Sequence, residues 1–237
     1  MCSSDLRPYT TMENMTQIQS LRVRTVRVPL AVPHRTASGT VAESPLVLVD
    51  VVTDGGVTGH SIVFTYTSAA LKPTAELIQN LAPLVEGKAL APAAIEQELA
   101  RRFRLLGTQG LVGMAIAGVD MACWDAFARL QELPLVNALG GNPRPVPAYG
   151  GIGYDGPVES AKAAEDWVRR GFLGVKAKIG YPTVAEDLAV IQAMRKAAGP
   201  DIALMVDYNQ SLSPVEAIER LRYIEDEGRS EEHTSEL

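Results

Sequence analysis

A chain of 237 residues with 46% apolar side chains can bury the core of one large domain or of two smaller ones. A formal charge of -6 and a pI near 5.2, with no stripe of Lys and Arg, argue against a nucleic-acid partner. No stretch approaches the length of a membrane span and no secretory leader opens the chain, while Cys2 and Cys123 make no disulfide framework, so a soluble protein in a reducing, cytoplasmic setting is expected.

The two ends differ from the middle. Residues 1–14 precede a second start at Met15, and residues 229–237, "RSEEHTSEL", have no apolar periodicity. Both are expected to be a non-native leader and tail. From Met15 the pattern is that of an antiparallel sheet. "SLRVRTVRVPL" alternates, "PHRTASGTVAES" reads as a loop, and "PLVLVDVV" and "VTGHSIVF" flank "TDGG", a hairpin signal. Helical periods follow over roughly 68–87, 92–106 and 111–131. The third is apolar around most of its circumference, which predicts a buried helix with Cys123 and Trp124 in the core.

From residue 146 strands alternate with helices: "VPAYGG", a helix over 157–170, "LGVKAKI", a helix over 184–198, "IALMVDYN", and a helix over 214–227. Thr183 with Glu186 and Ser213 with Glu216 fit capping boxes, and Pro214 suits a first helical position. Such alternation means βαβ units on a parallel sheet. Three units are visible where a closed barrel needs about eight. The pattern therefore fits an open doubly wound sheet or the first part of a barrel.

Alternate residues of a strand face the same way, so Lys176 and Lys178 point together, at the carboxyl end where barrels do chemistry. A second cation nearby disfavours protonation and desolvation pushes the same way, so one lysine of such a pair can serve as a base. Asp207 and Asn209 repeat the geometry on the next strand, and a carboxylate there suits a hard cation such as Mg2+. A metal beside a base is the pairing that takes a proton from the carbon next to a carboxylate. Singly, a strand-end lysine is usually a solvated side chain and an Asp before a loop a turn residue; together, in matching phase, they point to a site.

"VKAKIGYP" followed by "MVDYNQSL", preceded by "PLVLVD", "GHSIVFTYT" and "GVDMACWDA", resembles the mandelate racemase branch of the mandelate racemase / muconate lactonizing enzyme family, in the enolase superfamily, over about residues 21–228. The resemblance implies an α+β capping domain (15–143) of antiparallel sheet plus helices, followed by the N-terminal part of a modified TIM-type (β/α) barrel (144–228), incomplete in this chain. It implies Lys178 as the base, Lys176 as the group that tunes it and touches a substrate carboxylate, Asp207 as a Mg2+ ligand, and Asn209 as a contact to the substrate or metal shell. Tyr66 and the loop from Val32 to Val41, with His34, Ser38 and Val41, would close over a small-molecule carboxylate substrate.

His34, Ser38 and Gly151 depart from the family pattern as known and predict a more polar pocket. The family's further metal ligands, its opposite base and its electrophilic Glu are expected beyond residue 228, which makes this chain a truncated racemase-like polypeptide, silent alone, whose full-length parent is a homo-oligomeric 2-hydroxy acid racemase. A sugar-acid dehydratase shares every residue visible here. A non-catalytic open α/β ligand-binding domain is the alternative of another class, and the absence of a Gly-rich phosphate loop counts against it.

Overall fold

The computed structural model describes residues 15–37 and 39–224; the leader and tail, Ser38 and residues 225–228 lie outside the described residues. The chain divides into two compact units. The first comprises residues up to Pro29 together with Glu43–Arg144, and the second Leu30–Ala42 together with residues from Pro145 onward.

β1 (Ile18–Thr36), β2 (Gly39–Thr53) and β3 (Thr58–Phe64) form a sheet in the order β1-β2-β3, the parts up to Pro29 and from Glu43 belonging to the first unit and Leu30–Ala42 to the second. β2 and β3 pair antiparallel from Leu46↔Phe64 to Val52↔Thr58. The "TDGG" turn joins them: the Thr53 N–H donates to Val57 O at 3.0 Å and Gly56 takes φ 77, a conformation that glycine adopts without steric cost. Alternation is strict on β2, where Val47, Val49 and Val51 are fully buried and Leu48 and Asp50 are half-buried.

Residues 33–44, read as a loop from their Gly/Ser/Thr content, are instead mostly strand, with β1 running to Thr36 and β2 starting at Gly39. Thr36, Thr40 and Val41 are β-branched, and Pro33 is tolerated on an edge strand whose N–H side needs no partner.

Five helices complete the first unit: α1 (Ser68–Gln79), α2 (Ala82–Val85), α3 (Pro92–Arg102), α4 (Gly110–Leu130) and α5 (Leu135–Ala138). The single helix expected over 68–87 is broken at Asn80 and Leu81, because Pro83 cannot donate a backbone hydrogen bond and must sit in a first turn. α4 is the central element, packing against β3, α1 and α3. Its length and composition would let it cross a membrane, which corrects the expectation that no stretch does so. Ala115, Ile116, Val119, Ala122, Cys123 and Ala126 bury it in the core of this unit, whereas Trp124 is only half-buried.

The helix rides close on β3 because glycines meet it. A Cβ at Gly59 would lie 2.0 Å from Ala122 O and 2.4 Å from Ala126 N, and one at Gly118 would lie 2.7 Å from Val63 Cγ2. Polar stitches hold the contact: the Ser61 hydroxyl donates to Gly118 O at 2.6 Å and the His60 N–H to Asp125 Oδ2 at 2.8 Å.

The second unit holds β4 (Gly150–Ile152), α6 (Gly156–Arg169), β5 (Gly174–Lys178), α7 (Val184–Ala198), β6 (Ala203–Asp207) and α8 (Pro214–Ile224). The strands form a parallel sheet in the order β4-β5-β6. β4 is shorter than the "VPAYGG" reading, since Pro147 cannot donate to a ladder. Thr183 and Glu186 close a full capping box on α7, and Ser213 and Glu216 make the same reciprocal bonds before α8. One face of the sheet is apolar: Val175, Ala177, Ile179 and Leu204 are buried in one cluster with Val190, Ile191 and Met194 of α7. That leaves the other face of β5 to its lysines.

Two outcomes follow from the packing of α4. Gly59→Ala forces a methyl into helix backbone and should lower the free energy of unfolding by about 1–3 kcal/mol, the usual cost of overpacking, read by urea denaturation. Burial, with the charge of Asp120, pushes the Cys123 thiol up to about 12. In a Cys2→Ser background an aromatic disulfide reagent at pH 8 should therefore label no thiol in the native chain and one after unfolding.

Candidate active site

The site is built at the carboxyl ends of β5 and β6. Because β5 turns Val175, Ala177 and Ile179 toward the buried cluster, Lys176 and Lys178 share the opposite face, and the parallel register sets Lys178 directly beside Asp207. Asp207 Oδ2 lies 2.6 Å from Lys178 Nζ and 3.3 Å from Lys176 Nζ. Neither lysine therefore faces the other bare; both share one carboxylate. All three side chains are between 14% and 20% exposed, so water screens the cluster only partly.

The other oxygen, Asp207 Oδ1, accepts the Asn209 N–H at 2.8 Å. Asn209 adopts φ 49, a left-handed conformation that asparagine tolerates better than most residues. Burial pushes the Asp207 carboxyl up, but the hydrogen bonds from Lys178 and the Asn209 N–H, with the charges of Lys178 and Lys176, outweigh it and hold the group below the ordinary carboxylate range.

A cavity of about 310 Å³ opens over these groups, lined by His34, Tyr149, Gly151, Ile152, Gly153, Lys176 and Lys178. The Tyr149 ring stands under the Lys176 ammonium, 5.6 Å from ring centroid to Nζ. Nothing lies within 4 Å of where a Gly151 Cβ would be, so the missing side chain leaves open space. The Trp167 indole N–H donates to Gly151 O at 3.0 Å, and the Tyr154 N–H donates to Arg35 O at 3.2 Å, tying the segment that carries His34 to this unit.

The structure thus brings together Lys176, Lys178, Asp207 and His34, with Asn209 adjoining through its backbone. Val41 is half-buried on β2 and is not among the cavity residues. Tyr66 belongs to the first unit, at φ 57 and 75% exposed, its ring 4.5 Å from that of Phe64. Ser38 lies outside the described residues. Tyr149 and Ile152 make the wall less polar than Gly151 and His34 alone suggest. Sequence reasoning missed Tyr149, although Tyr149, Gly151 and Gly153 share one parity, the same signal that singled out the lysines.

Residues 18–140 match the model of the mandelate racemase / muconate lactonizing enzyme N-terminal domain, and residues 159–230 match that of the enolase C-terminal domain-like family. The chain belongs to the mandelate racemase / muconate lactonizing enzyme family. Its two units are accordingly this family's N-terminal capping fold and part of its TIM-type barrel. The chain is 33% identical over 215 residues to the L-Ala-D/L-Glu epimerase of Bacillus subtilis, covering 88% of this chain and 57% of the relative. It is 31% identical to the arabinonate dehydratase of Saccharolobus solfataricus, covering 78% and 51%. Among solved structures, an enolase from Bradyrhizobium complexed with magnesium and mandelic acid superposes with a TM-score of 0.83 at 43% identity, covering 92% of this chain and 61% of that one. The chain spans little more than half the length of these curated relatives, and relatives of the family include both epimerases and dehydratases.

Magnesium prefers several oxygen donors in near-octahedral array. Among the described residues no group of three or more His, Cys, Asp or Glu side chains comes together. Asp207 is one hard donor of the right chemistry, and the pair of lysines on its carboxylate shows how strongly that position attracts positive charge.

Asp207→Asn should expose what the shared carboxylate contributes. With the carboxylate that both ammonium groups share replaced by a neutral amide, stability at pH 7 should fall by about 1–3 kcal/mol. Because the folded carboxyl titrates below its free value of about 3.9, that contribution is complete above this pH and is lost as pH falls through the folded value. The difference between wild type and variant, measured by denaturant titration, should therefore shrink as pH is lowered below about 4.

Proposed function

We propose that this chain supplies the proton-abstracting side of a site acting on the carbon next to a carboxylate, with a 2-hydroxy acid as substrate and racemisation or epimerisation as the reaction. The observation that carries this reading is the cluster of Lys178, Lys176 and Asp207 at one end of a parallel sheet, opening into a cavity with room for a small organic acid. Lys178, the more closely paired lysine, is the base that receives the α-proton on Nζ. Lys176 holds the substrate carboxylate by charge, steadied by the Tyr149 ring. His34 contacts the substrate from the opposing segment, and Asn209 holds Asp207 in orientation through its backbone. Val41, on the segment of the second unit that also carries His34, is a further candidate contact to the substrate.

Asp207 is one oxygen ligand for Mg2+, with the others expected from outside the described residues. When bound, the cation supplies electrostatic stabilisation for the negative charge that proton removal leaves on the carboxylate oxygens. The mandelic acid and magnesium named for the Bradyrhizobium relative support this choice of substrate class and metal. The arabinonate dehydratase match supports a second reading, in which the same proton abstraction is followed by loss of water.

The test has two arms. Mandelate binding to the purified chain, followed by calorimetry, should weaken by about tenfold or more in Lys176→Ala, which removes a charged contact. Gly151→Val should also weaken it by filling the open space beside the lysines, with no change in the far-UV spectrum. For the chemistry, a chimera joins residues 15–224 to the part of the Bradyrhizobium relative that lies beyond the match. Solvent deuterium should enter both mandelate enantiomers, and Lys178→Ala should abolish entry from one enantiomer only. Equal loss from both overturns the two-base reading. With mandelate replaced by arabinonate, whose 3-hydroxyl can leave as water after α-proton removal, a 2-keto-3-deoxy product favours the dehydratase.

A further inference from the structure

Asp187 lies in the first turn of α7, away from the cavity, and is fully buried. Its carboxylate accepts four hydrogen bonds. Oδ1 takes the backbone N–H groups of Gly180 at 2.8 Å and Tyr181 at 2.9 Å, while Oδ2 takes an Arg220 guanidinium N–H at 2.7 Å and the Tyr208 hydroxyl at 3.2 Å. Arg220, on α8, also donates to the carbonyls of Tyr181 at 2.8 Å and Pro182 at 3.3 Å. Gly180 lies two residues beyond Lys178, and Tyr208 is bonded directly to Asp207. A single carboxylate thus joins the ends of both strands that carry the site.

We infer that Asp187 is a positioning residue, holding the end of β5 against the end of β6 so that Lys178 Nζ and the Asp207 carboxylate meet. This rests on the role proposed above for Lys178 and Asp207, but the structural claim stands or falls separately. Buried ion pairs are often no more stabilising than apolar packing of the same volume, so stability alone gives little reason to keep one here. What apolar packing cannot do is accept two backbone N–H groups in a segment that turns sharply. Gly180 has φ 113, open in practice to glycine, and a Cβ there would lie 2.8 Å from Ser211 Oγ and 2.9 Å from Ala37 Cβ. Tyr154 and Arg220 hold carbonyls of this turn, but Asp187 is the side chain that accepts its Gly180 and Tyr181 N–H groups, just beyond the end of the strand that carries Lys178.

The experiment is amide hydrogen exchange by NMR on the purified chain, comparing wild type, Asp187→Asn and Met194→Ala. The readout is the exchange rate of the Asn209 N–H, which bonds to Asp207 and does not touch Asp187, divided by that of the Met205 N–H, which the parallel register turns toward β5. The ratio removes any change in global stability. Met194 is fully buried on the same helix and offers no hydrogen bond, so its truncation serves as the purely structural control.

Asp187→Asn, which puts an amide NH2 where one set of donors needs an oxygen, should raise the ratio by about tenfold. Met194→Ala should leave it unchanged. Should Asp187→Asn fail to fold, Tyr208→Phe removes one bond to Oδ2 and should raise the ratio by about threefold. An unchanged ratio in the folded Asp187 or Tyr208 variant, or an equal rise in Met194→Ala, overturns the inference. Mandelate binding, measured in parallel, reports on the functional reading: if wild type does not bind, that reading fails while the ratio still decides the role of Asp187.

Discussion

Two ammonium groups on alternate positions of one strand remain half-buried here because a single carboxylate lies between them. Asp207 Oδ2 is 2.6 Å from Lys178 Nζ and 3.3 Å from Lys176 Nζ, and the β5–β6 register and the Asn209 N–H position it there. Unpaired, the lysines would repel each other in a medium of reduced dielectric and would turn outward to water. The parallel register between β5 and β6 places Lys178 and Asp207 side by side, and the apolar backs of both strands resist any slip, since a shift of one residue would exchange Val175 and Ala177 for the lysines.

This arrangement sets a charged cluster at one end of a sheet whose opposite face is ordinary core. Strand alternation separates the two tasks: odd positions of β5 build the cluster with α7, and even positions carry charge. The loops beyond the strands then do what strands cannot. Asn209, in a left-handed conformation, directs its N–H at Asp207, and the Tyr154 and Tyr181 rings stack at 4.0 Å, with the Tyr154 hydroxyl donating to Gly180 O and the Gly156 N–H to the Tyr181 hydroxyl. The loops after β4 and β5 are thereby locked to one another.

The family relationship narrows the chemistry without selecting the reaction. Epimerases and dehydratases alike match this chain, over 78% to 89% of its length. Gly151 leaves space that any side chain would fill, and Tyr149 adds an aromatic surface beneath one lysine, so the cavity wall is mixed rather than purely polar.

Much was legible in the sequence by itself wherever the governing physics is local. Strand parity put Lys176 with Lys178, the Thr183–Glu186 and Ser213–Glu216 spacings announced two helix starts, and the apolar circumference of residues 111–131 foretold a buried helix with Cys123 inside. Local signals failed where distant groups decide. The small polar residues of 33–44 read as a loop but extend as strands, and Pro83 broke a helix whose periodicity seemed continuous. Asp187 looks like an acidic residue placed in a first turn to suit a helix dipole. Only the tertiary structure shows it gathering Gly180, Tyr181, Tyr208 and Arg220, and only the parallel register shows that two repelling lysines have one carboxylate in common. Both are contacts across some thirty residues of chain, and no periodicity encodes them because they exist only once strands and helices have packed.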